Sequence, residues 1–209
     1  MTVEPVDYFS NHRSKFRFPW SLYHRPIVRE LGAALSDEDA VDVLNVGSGP
    51  FLELPELARN GKRFTICDID ARAVELAREL HGTAIARADV VAEGAPLPYP
   101  DASFDIVVSM DVVEHVEDPL PWIRGALRVL LPGGSLFLTT PNYASASLRI
   151  IENTVLEAVA RRRGFSRRHL HPTKLDSKKL LELMDHAGAK DRAVKSIAFG
   201  WVLAARARR

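Results

Sequence analysis

The sequence predicts an α/β fold: a doubly wound, mostly parallel sheet with helices on both faces. Three observations predict it. From residue 41 onward, short apolar runs alternate with stretches of helical spacing, the pattern of strands joined by crossover helices. The first run ends in a glycine-rich turn, Asn45-Val46-Gly47-Ser48-Gly49-Pro50-Phe51, and the second ends in an acid, Asp68. The last two runs are separated by little more than Gly200. A pair joined that tightly must be antiparallel, because a parallel crossover needs about a dozen residues.

Each element has a local signal. Val41–Val46 reads as the first strand, and Phe51–Arg59 as a short helix stopped by Gly61. Phe64–Cys67 is the second strand. Asp70 caps a helix over Ala71–Leu80, where Val74, Ala77 and Leu80 share one face and Gly82 closes the end. Ala84–Ala88 is the third strand, leading to Asp89 and a proline-rich loop, Ala95-Pro96-Leu97-Pro98-Tyr99-Pro100-Asp101. Phe104–Met110 is the fourth strand, apolar apart from Asp105 and Ser109. Asp118-Pro119 opens a helix that runs to about Leu130, a capping acid followed by proline at the first helical position. Pro132-Gly133-Gly134 is a turn before the fifth strand, Ser135–Thr140. Asp176 caps a helix over Ser177–Ala187, closed by Gly188, and Ala193–Phe199 and Trp201–Arg206 form the terminal pair.

Two segments stand outside the alternation. Residues 1–40 are rich in aromatic and basic side chains (Tyr8, Phe9, Phe16, Phe18, Trp20, Tyr23, His24), with a helix expected over Pro26–Leu35. They are expected to cap the ligand site, with Tyr8, Trp20 or Tyr23 as candidates to line it. Residues 141–175, with a helix expected over Ala144–Arg163, emerge at the carboxyl edge of the sheet. Open α/β sheets bind ligands at that edge, so this insertion is expected to act as a lid.

Bulk properties narrow the class. A chain of 209 residues is read as one domain, large enough to bury a core without disulfides or structural metal. Hydrophobic content of 46% and charged content of 26% are ordinary for a globular protein. The lone Cys67 excludes an intrachain disulfide and a cysteine zinc cluster. A net charge of +1 gives no electrostatic reason to expect a nucleic acid or a membrane surface as partner. With no long apolar run and no signal-peptide pattern, the expected location is the cytoplasm, as a monomer or homodimer.

A glycine turn after one strand and an acid after the next form a nucleotide-binding layout. The glycines let the backbone approach a ligand, and the acid accepts hydrogen bonds from a ribose diol. Phe51 stands where a dinucleotide site often has its third glycine, which weighs against a bound pyrophosphate.

Residues 41–140 resemble the class I S-adenosylmethionine (SAM)-dependent methyltransferases. Asn45-Val46-Gly47-Ser48-Gly49 is similar to that family's first motif, with Asn45 in place of the usual acid. Pro98-Tyr99-Pro100-Asp101-Ala102-Ser103-Phe104-Asp105 resembles the loop and fourth strand of these enzymes, and Leu130-Leu131-Pro132-Gly133-Gly134 the turn before their fifth. The resemblance implies a Rossmann-like seven-stranded sheet whose last strand is antiparallel. It implies SAM as cofactor, held by Asn45, Gly47, Ser48, Gly49, Asp68, Ile69, Asp89, Val90 and Met110. Asp68 would take the ribose, Asp89-Val90 the adenine, and Asn45 the methionine amino group.

At the end of the fourth strand, Asp111-Val112-Val113-Glu114-His115 resembles the Glu-x-x-Glu-His of ubiquinone-pathway O-methyltransferases and small-RNA 2′-O-methyltransferases. On a helical turn Asp111, Glu114 and His115 would share one face. With His169 and His171 from the lid to complete the site, they would suit Mg²⁺ or Mn²⁺. The metal-free reading is preferred here, because one ligand is Asp where those groups have Glu and the histidine spacing is loose. In that reading His115 or His171 is the candidate base, beside Asp111, because imidazole titrates near neutral pH. The arginines at 161–163, 167 and 168 fit either a solvated helix end or a mouth for an anionic acceptor. The expected reaction is methyl transfer from SAM to a small-molecule hydroxyl. The alternatives are a cation-dependent small-RNA methyltransferase and a SAM-binding partner protein without turnover.

Overall fold

The computed structural model describes residues 15–37, 39–57, 61–157 and 171–209. Seven strands form one sheet: β1 (Asp42–Val46), β2 (Arg63–Asp68), β3 (Ile85–Val90), β4 (Phe104–Met110), β5 (Leu130–Pro141), β6 (Lys190–Ile197) and β7 (Val202–Arg208). Their order is β3-β2-β1-β4-β5-β7-β6. The first five strands pair in parallel, and β7 runs antiparallel to both β5 and β6. Chain order reverses between β1 and β4, so a crevice opens beyond the carboxyl ends of those two strands.

Alternation along the strands builds two cores. Val43, Ile66, Ile106, Val108 and Phe137 face one side of the sheet, where α1 (Ser21–Ala34) contributes Ile27 and Leu31 and α2 (Ala71–His81) contributes Val74 and Ala77. Leu44, Val107, Leu136 and Leu138 face the other side, packed on Ile123 and Leu127 of α3 (Pro119–Val129). Leu180 and Met184 of the last helix complete that layer. A short helix, α4 (Ala146–Ile151), continues as a π-helical turn over Glu152–Leu156, and α5 spans Ser177–His186. Among the described residues no helix is long and apolar enough to cross a membrane.

Capping acids act where expected. Asp70 accepts from Arg72 N–H, Asp118 from Leu120 N–H and Asp176 from Lys179 N–H. Three elements differ from expectation. The helix expected over Phe51–Arg59 is, in its described part, only a 3₁₀ turn at Leu54–Glu56. Phe51 sits at φ 48°, outside helical space, and Pro55 has no N–H to continue a ladder. The first helix starts at Ser21 and carries Pro26 inside it. The Pro132-Gly133-Gly134 turn is absorbed into β5 as a bulge, between the pairings Phe104↔Leu130 and Ile106↔Ser135. Gly134 is required there, because a Cβ would lie 2.9 Å from the Asp105 carbonyl oxygen. Of the helix expected over Ala144–Arg163, the end beyond residue 157 lies outside the described residues.

The tip of the β6–β7 hairpin holds Phe199 at φ 60° with 74% of its surface exposed. A bulky side chain pays for that left-handed conformation and recovers little by burial. Phe199→Asn should therefore raise stability by about 0.5–1 kcal/mol, seen as a melting temperature higher by about 2 °C.

Candidate active site

A cleft of about 2050 Å³ opens at the carboxyl edge of the sheet. Its walls come from the glycine loop after β1, the end of β2, the turn after β4, α1 and parts of residues 141–175. Trp20, Tyr23 and His24 reach it from the N-terminal segment, and Leu148, Glu152 and His171 from the insertion. Both segments that stand outside the alternation therefore border the same space. Tyr8, His169 and the arginines at 161–168 lie outside the described residues.

The glycine loop is fixed by the strand beside it. Gly47 and Ser48 donate their N–H groups to the Cys67 carbonyl at 2.8 and 3.2 Å. Gly49 N–H donates to Asp68 Oδ2 at 2.7 Å, and Asp70 N–H to Asp68 Oδ1 at 2.9 Å. A carboxylate offers about four lone-pair sites, so Asp68 keeps acceptor capacity toward the cleft it lines. Gly47 lies at φ 67°, and a Cβ there would sit 2.4 Å from Val112 Cγ2. The loop after β1 and the turn after β4 thus touch across the crevice. Ser48, Ile69 and Met110 also line it, Ile69 with 58% of its surface exposed.

Three expected cofactor contacts are placed differently. Asn45 is fully buried, does not border the cleft, and neither Nδ2 nor Oδ1 has a hydrogen-bond partner. Alternation along β1 puts its side chain on the sheet face that Val43 occupies. Asp89 is held by the Arg87 guanidinium at 2.7 Å and accepts from Tyr99 Oη at 2.9 Å. Neither Asp89 nor Val90 borders the cleft, whose wall continues from Val91 to Leu97.

The turn after β4 gathers the titratable groups. Asp111, at φ 53°, accepts from Thr139 Oγ1 at 2.9 Å and is hydrogen-bonded by the Tyr23 phenol. Glu114 is 1% exposed and accepts from Thr140 Oγ1 at 3.0 Å. Burial pushes the Asp111 carboxyl up, and burial with the neighbouring Asp111 charge holds Glu114 well above the usual carboxylate range. Burial and then the same two acids raise the Tyr23 phenol. The adjacent threonines of β5 point to opposite faces, yet each serves one acid, because Asp111 precedes the 3₁₀ turn Val113–His115 and Glu114 lies within it. No sequence signal marked Thr139 and Thr140, whose partnership needs β4 and β5 side by side.

His115 and His171 meet edge to face with ring centroids 4.7 Å apart. The His171 Nδ1 atom contacts the Tyr143 hydroxyl. One ligand atom each from Glu114, His115 and His171 lies within 4.8 Å of the others. Of the candidate ligands, Glu114, His115 and His171 come together, Asp111 stands outside that group, and His169 lies outside the described residues. The left-handed Asp111 leaves the turn before it becomes helical, so the one-face argument fails at that residue.

The raised acids predict a pH effect. The folded state holds protons that the unfolded chain releases, so stability declines as pH rises from the ordinary carboxylate range through the raised values. Glu114→Gln removes part of that cost. Its melting temperature should exceed that of the native chain at about pH 8, and the gain should shrink toward about pH 4.

Residues 44–138 match the family described as a methyltransferase domain. The ubiquinone biosynthesis O-methyltransferase of Xanthomonas oryzae pv. oryzae is 35% identical over 134 residues, covering 60% of this chain and 53% of that protein. The chain spans about half the length of the curated relatives it matches. Among solved structures, a complex of the Haloferax volcanii Trm112 methyltransferase activator with a methyltransferase aligns with a TM-score of 0.69 and 18% identity. That alignment covers 95% of this chain and 94% of the other. A SAM-dependent methyltransferase from Thermotoga maritima aligns with a TM-score of 0.68 and 17% identity, covering 96% of each chain. At such identities the likeness is one of fold, and the fold includes the antiparallel seventh strand. The glycine loop and the acid after β2 thus lie in the part of the chain that matches the methyltransferase-domain family, residues 44–138.

Proposed function

We propose that this protein transfers a methyl group from SAM to a hydroxyl oxygen of a small molecule held between α1 and the 141–175 segment. The observation that carries the cofactor half is the Gly49–Asp68 hydrogen bond at 2.7 Å, which fixes the glycine loop with an acid still facing the cleft. The donor set fits the cofactor. Asp68 has acceptor capacity for the ribose hydroxyls, and Ile69 and Val91 offer apolar surface to the adenine. Gly47 and Gly49 present backbone where a side chain would obstruct the methionine end. SAM, when bound, supplies an electrophilic methyl group on a sulfonium.

The remaining work belongs to the chain's own residues. Methyl transfer to a hydroxyl releases a proton, and His115 and His171 line the cleft as the imidazoles that could accept it. Tyr23 and Asp111 hold one another at the same wall and are positioned to orient the acceptor. Oxygen as the methylated atom rests on the O-methyltransferase named among the relatives. The test is release of S-adenosylhomocysteine when the protein is mixed with SAM and a panel of phenols, sugars and amines. Turnover with hydroxyl compounds supports the reading, whereas turnover with amines alone overturns it.

One observation favours a second reading, with a divalent cation bound by Glu114, His115 and His171. Oxygen and imidazole ligands suit Mg²⁺ or Mn²⁺. Loss of turnover in EDTA, restored by either ion, would select it. Unchanged turnover would select the metal-free base.

A further inference from the structure

The glycine loop is held at two points beyond its backbone bonds to β2. Asp68 takes the Gly49 N–H at 2.7 Å on the cleft side. On the far side, His81 Nε2 lies 3.0 Å from the Pro50 carbonyl oxygen. A carbonyl only accepts, so this nitrogen carries the proton and donates it. His81 is the last residue of α2, and it does not line the cleft. Its ring also stands edge to face with Phe51, at a centroid distance of 6.4 Å. Phe51 is fully buried at φ 48° and packs on Phe64 at 5.6 Å. The chain thus leaves the loop through a proline that cannot donate and a phenylalanine in a costly conformation. The hydrogen bond to Pro50 and the ring contact with Phe51 both come from His81.

We infer that His81 is a positioning residue for the cofactor, setting the backbone of residues 47–51 by its hydrogen bond to Pro50 without touching the ligand. The inference rests on the SAM-binding reading above. α2 is capped by Asp70, two residues after the ribose acid, and ends at His81, so one rigid helix links the two anchors of the loop. Loop geometry and the Asp68 carboxylate are then fixed relative to each other before ligand arrives, which lowers the ordering cost of binding.

The test compares two variants by titration calorimetry with SAM and S-adenosylhomocysteine, with melting curves run in parallel. His81→Gln keeps an N–H donor at nearly the reach of Nε2. His81→Asn is polar and helix-compatible, but its donor falls short of Pro50. His81→Asn should bind both ligands about tenfold more weakly, while His81→Gln stays within about threefold of the native chain. A general packing role would move both variants together. The inference is overturned if His81→Asn binds as the native protein does, or if His81→Gln is as weak as His81→Asn. If the native chain binds neither ligand, the cofactor reading itself falls, and this inference with it.

Discussion

Replacing Asp68 with alanine should weaken SAM binding by at least about a hundredfold, the largest single effect on the cofactor site. Two losses combine. A ribose diol donating to a carboxylate makes charge-assisted hydrogen bonds of about 1.5–3 kcal/mol each, and both vanish. The same substitution leaves the N–H groups of Gly49 and Asp70 without their acceptor, so the loop loses its cleft-side anchor. Asp68→Asn retains one acceptor oxygen and cannot serve both sides. Its affinity should fall between the two, about tenfold below the native protein. Calorimetry with both variants checks the order. Unchanged affinity in Asp68→Ala would remove the ribose assignment.

Gly47→Ala should cost more stability than any other substitution considered. An alanine at φ 67° pays about 1–2 kcal/mol for the left-handed conformation. Its Cβ would also lie 2.4 Å from Val112 Cγ2, far inside contact distance. Val112 is β-branched with a stiff side chain, so relief requires the turn after β4 to shift. Overpacking of this kind adds about 1–3 kcal/mol. The melting temperature should fall by about 10 °C, and SAM binding should weaken as the crevice is forced open. Adding Val112→Ala should restore the steric part of the loss and leave the conformational part. A double variant no more stable than Gly47→Ala would show that the contact across the crevice is not the cause.

Much of the frame was legible because local chemistry and global fold agree in it. β4 begins at Phe104 and ends at Met110 as its apolar run does. α2 and α5 begin at the acids that cap them, and the short link at Gly200 allowed only the antiparallel pairing observed. Other features were hidden because tertiary contacts decide them. Phe51 trades a helical conformation for burial against Phe64, which no helical periodicity registers. The fifth strand takes in Pro132-Gly133-Gly134 because β4 supplies partners on both sides of the bulge.

The site divides in the same way. Of the residues the motif pattern singles out, Gly47, Ser48, Gly49, Asp68, Ile69 and Met110 border the cleft. Asn45 and Asp89 match that pattern in sequence, yet neither borders the cleft: Asn45 is fully buried in β1, and Asp89 is held by Arg87 and Tyr99. The acidic turn was read as one helical face, but Asp111 breaks from it in a left-handed conformation and pairs with Thr139 and Tyr23. His171 joins Glu114 and His115 from a distant part of the chain.

The most direct test of the central claim is a calorimetric titration of the native protein with SAM and with S-adenosylhomocysteine. The account predicts one site per chain with micromolar affinity for both, weakened by at least about a hundredfold in Asp68→Ala. Absence of binding by either ligand at about millimolar concentration, in a protein that melts cooperatively, would contradict it.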